Sequence, residues 1–408
     1  MWSRRDLLRA GLSAAALSEL SCSKEPGQRD ARTPTRPRYF CSVLLLGGID
    51  PVYTFDPKTR GEVEPWVDVP YSNNGISSLG DIAIGPHLAA LKQQSNLQQP
   101  STPIALVRGV RVQTGNHRTG EAQYVRMRTN ISEMMPLIFD LIGAHRDGQP
   151  LSSIVFGDSE FSPSWFGGEL LPRLDSASKA ELEAMSSALR AQAKDLRRSS
   201  RSAEATTTAS NLDSCVALFE RLPSVPPFKV DSSWPSNSEE LQRALWAFEN
   251  DLTASLFISE GNWDTHVRNA VGQEYRSGQY MPGLARFIAE LSRRGNRFGL
   301  LADNLVLMAG SEIGRLPRLN EFGGKDHFPE APYLFAGRAI NTNGRRNAAY
   351  GQTGRTLAGV SVSLKTGQPQ ANGHRLLLDD LGATVLRLFG IDPLTYGYDG
   401  QTLEFLLA

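Results

Sequence analysis

The run Tyr39-Phe-Cys-Ser-Val-Leu-Leu-Leu46, closed by Gly47-Gly48, decides the fold of this chain. Its apolar residues are continuous rather than alternating, as in a strand that is buried on both faces. Four further short apolar runs follow along the chain, at residues 104–107, 153–156, 255–258 and 305–309. Because each run lies next to a helical pattern, we expect them to form strands that are covered by helices.

Two segments show a clear helical pattern. Residues 238–252 follow Pro235 and carry an apolar stripe formed by Leu241, Ala244, Leu245, Phe248 and Leu252. Residues 281–291 predict a second helix, which ends at Gly295. The alternation of strands and helices predicts an α/β fold, a three-layer α/β/α sandwich with a mostly parallel sheet. In such sheets, functional sites form at the carboxyl ends of the strands.

The composition limits the classes of function. The 408 residues include 43 Lys and Arg against 43 Asp and Glu, so the chain has no global electrostatic reason to bind nucleic acid. No stretch approaches the ~18 consecutive apolar residues of a membrane helix, which predicts a globular protein without a transmembrane span. The three cysteines, Cys22, Cys41 and Cys215, allow at most one disulfide and lack the spacing of a structural zinc site.

The amino-terminal segment carries signals for export. Residues 1–9, MWSRRDLLR, resemble a twin-arginine export signal, although a basic helix end is the alternative. We predict a signal over residues 1–22 and a disordered tether over residues 23–38, which are rich in Pro, Arg and Lys. Cys22 could carry a lipid anchor, but Glu19 replaces the Leu of a lipobox. These features predict a location in the periplasm, in the outer envelope or outside the cell.

The remaining residues, 39–408, are predicted to form one domain with an insertion. The segment at about 176–222 is rich in Ala, Ser, Arg, Glu and Thr and predicts a helical insertion that is interrupted by a mobile loop. Its basic run begins at Arg197 and is interpreted as a solvated surface, with the docking of a partner as the alternative.

Polar residues follow the predicted strands, at the points where sites form. These loops contain Asp50, then Asn116 and His117, then Asp264 and His266, then Glu312 and Arg315, and shortly beyond them Asp326 and His327. Imidazoles and carboxylates that converge from different segments are ligands of divalent metals, and nearby glycines let the backbone bring them together. Asp50 alone is equally consistent with a turn or a helix N-cap. His87, His145 and His374 lie outside these loops and are expected to be structural or surface residues.

Two of these loops resemble the motifs of a known family. Residues 261–266, GNWDTH, resemble a Gly-Trp-Asp-Thr-His motif, and residues 311–329, SEIGRLPRLNEFGGKDHFP, resemble a Glu-Phe-Gly-Arg-Thr-Pro … Gly-Arg-Asp-His-Trp-Pro motif. Both motifs are those of an exported bacterial family, domain of unknown function 1501, which is similar to the alkaline phosphatase and sulfatase superfamily. The likeness extends to the closing segment, residues 380–400.

The resemblance implies an alkaline-phosphatase-like fold and a metal-dependent hydrolase of phosphate or sulfate esters. One or two divalent metals, zinc with calcium or manganese as alternatives, would be held by six residues: Asp50, Asp264, His266, Glu312, Asp326 and His327. Paired metals about 4 Å apart would polarise the ester and stabilise the leaving oxygen. Arg315 or Lys325 would clamp the anionic substrate.

Three features depart from the family pattern. Leu316 stands where the family has Thr, and Gly382 stands where close relatives have His. The chain would therefore lack one metal-binding imidazole, unless His374 supplies it. The covalent nucleophile is also unmarked. The loop before a helix that starts near residue 120 offers Thr114 and Thr119, and an N-cap role is the alternative for Thr119.

We therefore expect an exported metal-dependent hydrolase with Thr119, His117 and Arg315 as catalytic residues and with an anionic small molecule or glycan ester as its substrate. The alternative is a catalytically weak metal-binding relative that acts as an envelope binding or assembly protein, with an envelope protein as its partner. The intact Asp264-Thr-His266 and Asp326-His327 motifs favour the enzyme. The changed Thr and His positions favour the binding protein.

Overall fold

The computed structural model describes residues 36–71, 75–80, 82–89, 91, 102–131, 136–146, 151–157, 179–199, 203–342, 345 and 347–407. The predicted signal at residues 1–22, Cys22 and most of the tether at residues 23–38 lie outside the described residues. In the part of the chain that the structure describes, no helix has both the length and the apolar character to cross a membrane.

The elements alternate along the chain. The strands are β1 (Tyr39–Leu45), β2 (Ser77–Leu79), β3 (Ile82–Ile84), β4 (Ile104–Arg111), β5 (Leu151–Gly157), β6 (Thr253–Glu260), β7 (Gly295–Asn296), β8 (Gly299–Leu300), β9 (Leu305–Gly310), β10 (Gly314–Arg315), β11 (His327–Phe328), β12 (Glu330–Ala336) and β13 (Asn347–Tyr350). The α-helices are α1 (His117–Tyr124), α2 (Ile138–Ala144), α3 (Lys179–Ser199), α4 (Ala203–Arg221), α5 (Glu239–Glu249), α6 (Asn269–Leu291), α7 (Leu301–Asn304) and α8 (Leu378–Leu388). Short 3-10 helices cover Pro51–Tyr53, Arg60–Glu62, Pro86–Leu88, Leu222–Ser224, Pro393–Tyr396 and Glu404–Leu406.

Seven strands form the central sheet, in the order β13-β4-β12-β9-β1-β6-β5. Strand β1 lies inside the sheet and pairs in parallel with β6 on one side and β9 on the other. Among the described strands of this sheet, only β12 runs against the others, because it is antiparallel to both β4 and β9. The prediction of a mostly parallel sheet is confirmed, and the five predicted strands are β1, β4, β5, β6 and β9.

Both faces of the sheet are covered by helices. Tyr39, Cys41, Val43 and Leu45 of β1 belong to one buried apolar cluster, which also includes apolar residues of α3, α4, α5 and α6. Phe40 and Leu44 belong to the opposite cluster, with residues of α1, α2 and α8. Successive side chains of a strand point to opposite faces, so β1 contributes to both cores and is buried throughout. The three-layer α/β/α sandwich is confirmed.

The start of helix α6 and two strands of the central sheet differ from the sequence-based expectation. Helix α6 begins at Asn269, twelve residues before Met281, because its first turns bury the polar residues Asn269, Gln273 and Ser277 instead of an apolar stripe. Strand β12 was not predicted from the sequence. Strand β13 was not predicted either. Strand β12 contains Pro332 at a shift in its register with β4, where a ladder hydrogen bond is not required.

Candidate metal centre

Four side chains from three separate segments meet at the carboxyl edge of the sheet. His117 is the first residue of α1, which follows β4, and Asp264 and His266 lie in the loop that follows β6. His327 lies in β11, just before the reversed strand β12, whose start is at the same edge as the ends of the parallel strands. The topology therefore gathers these residues, which we call the metal centre.

The candidate ligand atoms of the metal centre lie close together. One atom from each of His117, Asp264, His266 and His327 lies within 4.8 Å of the others. The Nε2 atoms of His266 and His327 are 2.8 Å apart, and Asp264 Oδ1 lies 3.3 Å from His266 Nε2. His117 Nε2 lies 3.4 Å from Asp264 Oδ2. Three imidazoles and one carboxylate form a donor set that divalent zinc prefers.

Each of the three imidazoles has an acceptor at its other nitrogen. His117 Nδ1 lies 2.7 Å from Glu312 Oε1, and His266 Nδ1 lies 3.0 Å from Asp326 Oδ1. His327 Nδ1 donates to the carbonyl oxygen of Gly115. Ligating histidines in metal sites are oriented in this way, with a carboxylate or carbonyl on one nitrogen and the metal on the other.

The proton positions that follow from these acceptors fit a bound cation. With protons on the Nδ1 atoms, the Nε2 atoms of His266 and His327 face each other with their lone pairs, which is unfavourable at 2.8 Å. The buried Nε2 of neutral His117 likewise has no proton to donate to Asp264 Oδ2, which lies 3.4 Å away. A divalent cation would satisfy all three nitrogens at once, so the residues present fit a metal ion.

The charges of the metal centre are mutually coupled. Hydrogen bonding and charge interactions with Asp264 and Glu312 raise the pKa of His117 to about 9. Burial opposes the ionisation of Asp264, but His117 and Arg315 hold the pKa of its carboxyl well below the usual range. Burial lowers the pKa of His327. In the metal-free protein, His117 is therefore protonated at neutral pH.

Three of the six predicted metal ligands, Asp264, His266 and His327, belong to the metal centre. The other three do not. Glu312 is buried and binds His117 Nδ1, the backbone N–H of Gly47 and the hydroxyl of Ser311. Asp326 is exposed and orients His266. Glu312 and Asp326 thus each orient a histidine of the metal centre and are not members of it themselves.

Asp50 also lies outside the metal centre, contrary to the expectation from the resemblance. Its Oδ2 atom is 2.7 Å from Lys325 Nζ and accepts a hydrogen bond of 2.8 Å from Asn269. Its Oδ1 atom accepts from the backbone N–H of Val52 and so caps the 3-10 helix at Pro51–Tyr53. The N-cap alternative for this residue agrees with the structure.

Arg315 is not placed to clamp a substrate. Its guanidinium is fully buried and donates to the carbonyl oxygens of Gly47, Gly48, Trp263 and Lys325. It also pairs with Asp264 Oδ1 at 2.5 Å. Lys325 is equally buried and equally paired. The expected anion clamp is therefore corrected: both cations hold loops of the chain together.

The candidate nucleophile Thr119 lies in the first turn of α1 with an exposed side chain. It is not the N-cap. Asn116 caps this helix, and its side chain accepts from the backbone N–H of Thr119 at 3.0 Å. Thr114 accepts from the backbone N–H of Asn116. Thr119 thus lies two residues from His117 and is open to solvent.

None of the positions that depart from the family pattern belongs to the metal centre. Gly382 is in α8, where an added Cβ would meet the carbonyl oxygen of Met127 at 2.2 Å and the ring of Tyr398 at 2.9 Å. A larger residue does not fit there. His374 binds Asp380 at 2.7 Å and does not replace a ligand. Leu316 is half-buried and binds the carbonyl oxygen of Asp326 through its backbone N–H.

Two glycines allow the ligand loops to approach each other. A Cβ at Gly324 would lie 1.9 Å from the carbonyl oxygen of His266, so the loop that carries Asp326 and His327 contacts the other ligand loop directly. Gly47 has a φ of 120°, and a Cβ there would lie 2.4 Å from the backbone nitrogen of Asp264. Only glycine combines this conformation with such close contact.

Sequence reasoning missed the polar residues of α6 that support the site. Gln273 accepts from the backbone N–H of Asp50 and donates to the carbonyl oxygens of Gly48 and Trp263 and to the hydroxyl of Thr265. Asn269 binds both Asp50 and Thr265. Their spacing of four residues directly after the GNWDTH loop is the signal that could have indicated a buried polar stripe.

Comparison with known proteins supports the resemblance and leaves the activity open. Residues 237–407 match a family model described as "Protein of unknown function (DUF1501)", which confirms the resemblance over the segment that holds Asp264, His266 and His327. His117 lies outside this match. No curated protein matches the chain.

The solved structures to which the chain is similar include the following three proteins. A protein in the alkaline phosphatase superfamily from Vibrio parahaemolyticus is 11% identical with a TM-score of 0.39, over 100% of this chain and 80% of that chain. The lipoteichoic acid synthase from Listeria monocytogenes is 10% identical with a TM-score of 0.33, over 97% and 80%. Alkaline phosphatase from the Antarctic bacterium TAB5 is 10% identical with a TM-score of 0.31, over 74% and 92%.

Proposed function

We propose that this chain is an exported, metal-dependent hydrolase of phosphate or sulfate esters. The observation that carries the proposal is the metal centre, in which three imidazole nitrogens and the Asp264 carboxylate converge while each imidazole has an acceptor at Nδ1. An acceptor at Nδ1 leaves the Nε2 atom of each imidazole for a metal. The resemblance of residues 1–9 to an export signal supports the location, and the motif resemblance supports the reaction class.

Zinc is the metal that this donor set favours. Imidazoles bind zinc and other transition metals well, whereas calcium and magnesium prefer sites made only of oxygen. A bound divalent ion polarises ester oxygens and lowers the pKa of water. The chain's own residues orient the ligands through Glu312, Asp326 and the Gly115 carbonyl, and the half-exposed Asp264 and His266 leave the centre open to an anionic substrate.

A second function is favoured by one specific observation. Arg315 and Lys325 are fully buried and are used in internal bonds, so neither supplies a cation for an anionic substrate. An envelope binding or assembly protein that holds a metal without rapid turnover would need no such clamp. We keep this as the alternative, with an envelope protein as its partner.

Metal content and turnover, measured on the same preparation, separate the two functions. The folded chain is purified and desalted, and its bound metal is counted by elemental analysis. Aryl phosphate and aryl sulfate esters are then assayed with the wild type and with Asp264→Asn and His327→Ala. We expect a bound divalent ion in the wild type, and we expect both variants to lose it together with ester hydrolysis.

His87→Ala is the matched control, because His87 pairs with Glu274 outside the metal centre. This variant should keep both the metal and the activity. Bound metal with no hydrolysis of either ester would favour the binding protein. A wild type that binds no divalent ion would contradict both functions.

A further inference from the structure

A buried ion pair adjoins the metal centre without contributing to it. Lys325 Nζ lies 2.7 Å from Asp50 Oδ2 and 3.2 Å from Asp68 Oδ2. It also donates to the carbonyl oxygen of Asp68 at 3.2 Å. The ammonium thus donates hydrogen bonds to Asp50 and to the Asp68 carbonyl and makes a charge contact with the Asp68 carboxylate, so Lys325 is paired with two carboxylates inside the protein.

Asp50 is equally enclosed. Its carboxylate is fully buried and accepts from Lys325, from Asn269 and from the backbone N–H of Val52. A buried carboxylate stays ionised only where a cation or several donors compensate its charge. Here the ammonium of Lys325 supplies that charge.

Arg315 links this ion pair to the metal centre. Its guanidinium donates to the carbonyl oxygen of Lys325 at 2.9 Å and pairs with Asp264 Oδ1 at 2.5 Å. The two carboxylates Asp50 and Asp264 therefore each have a protein cation already. Only Asp264 also faces the three imidazoles.

We infer that Lys325 is a built-in counter-ion that takes the place of a second divalent metal at Asp50, so that the chain binds a single ion, at the metal centre. The inference rests on the proposed metal centre and adds the number of ions that each chain binds. Lys325 is therefore a positioning residue for Asp50. It keeps Asp50 in place at the start of the loop that Gln273 and Asn269 tie to α6.

Counting bound ions tests the inference directly. The full chain is titrated with zinc and then with manganese, and the ions that remain after desalting are counted by elemental analysis. We expect one equivalent in the wild type. In Lys325→Met, the Asp50 and Asp68 carboxylates lose their cation, and we expect a second equivalent, taken up preferentially as manganese because its ligands are oxygens.

Two controls accompany this variant. Lys325→Met combined with Asp50→Asn should return to one equivalent. Lys58→Met removes a lysine from another buried pair, with Asp56, which keeps Arg108 as a partner at 3.2 Å. This single variant should also bind one equivalent.

A second measurement serves if Lys325→Met does not fold. Asp50→Asn, which keeps the shape of the side chain, should bind zinc within about threefold of the wild-type Kd, because Asp50 is not a ligand. Asp264→Asn should weaken zinc binding by at least about 100-fold. Both Kd values are measured by competition with a chromophoric chelator.

The outcomes that overturn the inference are distinct. The inference is rejected if the wild type binds two equivalents, or if a folded Lys325→Met chain binds only one. It is also rejected if Asp50→Asn weakens zinc binding by about tenfold or more, which is about the least expected for a residue that holds a ligand. A wild type without any bound ion would reject the proposed metal centre and this inference with it.

Discussion

At the scale of single residues, His117 couples the metal centre to pH. The two carboxylates of Asp264 and Glu312 raise its pKa to about 9 from an ordinary value of 6.5. In the metal-free protein, the stabilisation that comes from protonated His117 is complete below pH 6.5 and is lost as the pH rises through 9. A metal binds the neutral imidazole, so it competes with this proton.

We therefore predict that zinc affinity rises with pH. Between pH 7 and pH 9 the Kd should fall by about tenfold per unit, since each ion displaces one proton from His117. The test is a chelator competition at pH 7, 8 and 9, corrected for the protonation of the chelator. A Kd that stays constant over this range would show that His117 does not exchange its proton for the metal.

Glu312 offers a second prediction at this scale. Its carboxylate is fully buried and holds His117 through Nδ1 at 2.7 Å. Glu312→Gln keeps the shape but removes the charge, so we expect zinc to bind 10-fold to 100-fold more weakly, as is typical (about these factors) when the partner of a ligand is changed. Glu274→Gln, at an exposed glutamate that pairs with His87, is the control and should leave the Kd unchanged.

At the scale of elements, the polar start of α6 is a support for the site loops. Gln273 satisfies the backbone N–H of Asp50 and two backbone carbonyls from within the protein interior. Gln273→Leu leaves these groups without partners, and we expect the free energy of unfolding to fall by about 2–4 kcal/mol. Denaturant unfolding of the metal-free chain measures this change.

Gln279→Leu is the matched variant for this prediction. Gln279 lies on the same helix but is half-exposed and accepts from Ser236 and Asn237 near the surface. Its replacement should cost less than about 0.5 kcal/mol. Equal losses in the two variants would mean that the buried bonds of Gln273 do not hold the loops.

The sheet was largely predictable from the sequence because buried parallel strands read as continuous apolar runs, as in Tyr39–Leu45. The missed strand β12 contains Pro332, which the strand pattern disfavours, and the missed half of α6 buries amides that carry no apolar period. The loops named as sites were also predictable, since three of the four members of the metal centre lie in recognisable motifs.

The roles within those loops were less predictable, for a physical reason. Asp50 and Asp264 both follow strands, and both carry a carboxylate beside a cation, yet one is enclosed by Lys325 and Asn269 and the other faces three imidazoles. Which cation pairs with which carboxylate depends on side-chain packing between distant segments. Sequence spacing does not contain this information.

At the scale of the whole molecule, the metal centre joins three segments that are far apart in the chain. His117 follows β4 at one side of β1 in the sheet, Asp264 and His266 follow β6 at the other side, and His327 precedes β12. An ion bound by all four residues cross-links these segments in the folded state only. The formal net charge of the chain is zero. The stability of the fold should nevertheless depend on the single ion that is bound at this site.

We predict that removing the metal lowers the thermal stability of the chain. With free zinc at 100 times its Kd, binding adds about 2.7 kcal/mol to the free energy of unfolding, and a chelator removes this contribution. Calorimetry of the wild type with and without zinc should show a higher Tm with the ion. His327→Ala should show no zinc-dependent shift, whereas His374→Ala, which loses only its bond to Asp380, should shift like the wild type. An equal Tm for the zinc-loaded and chelated wild type would mean that the four residues do not cross-link the edge of the sheet through an ion.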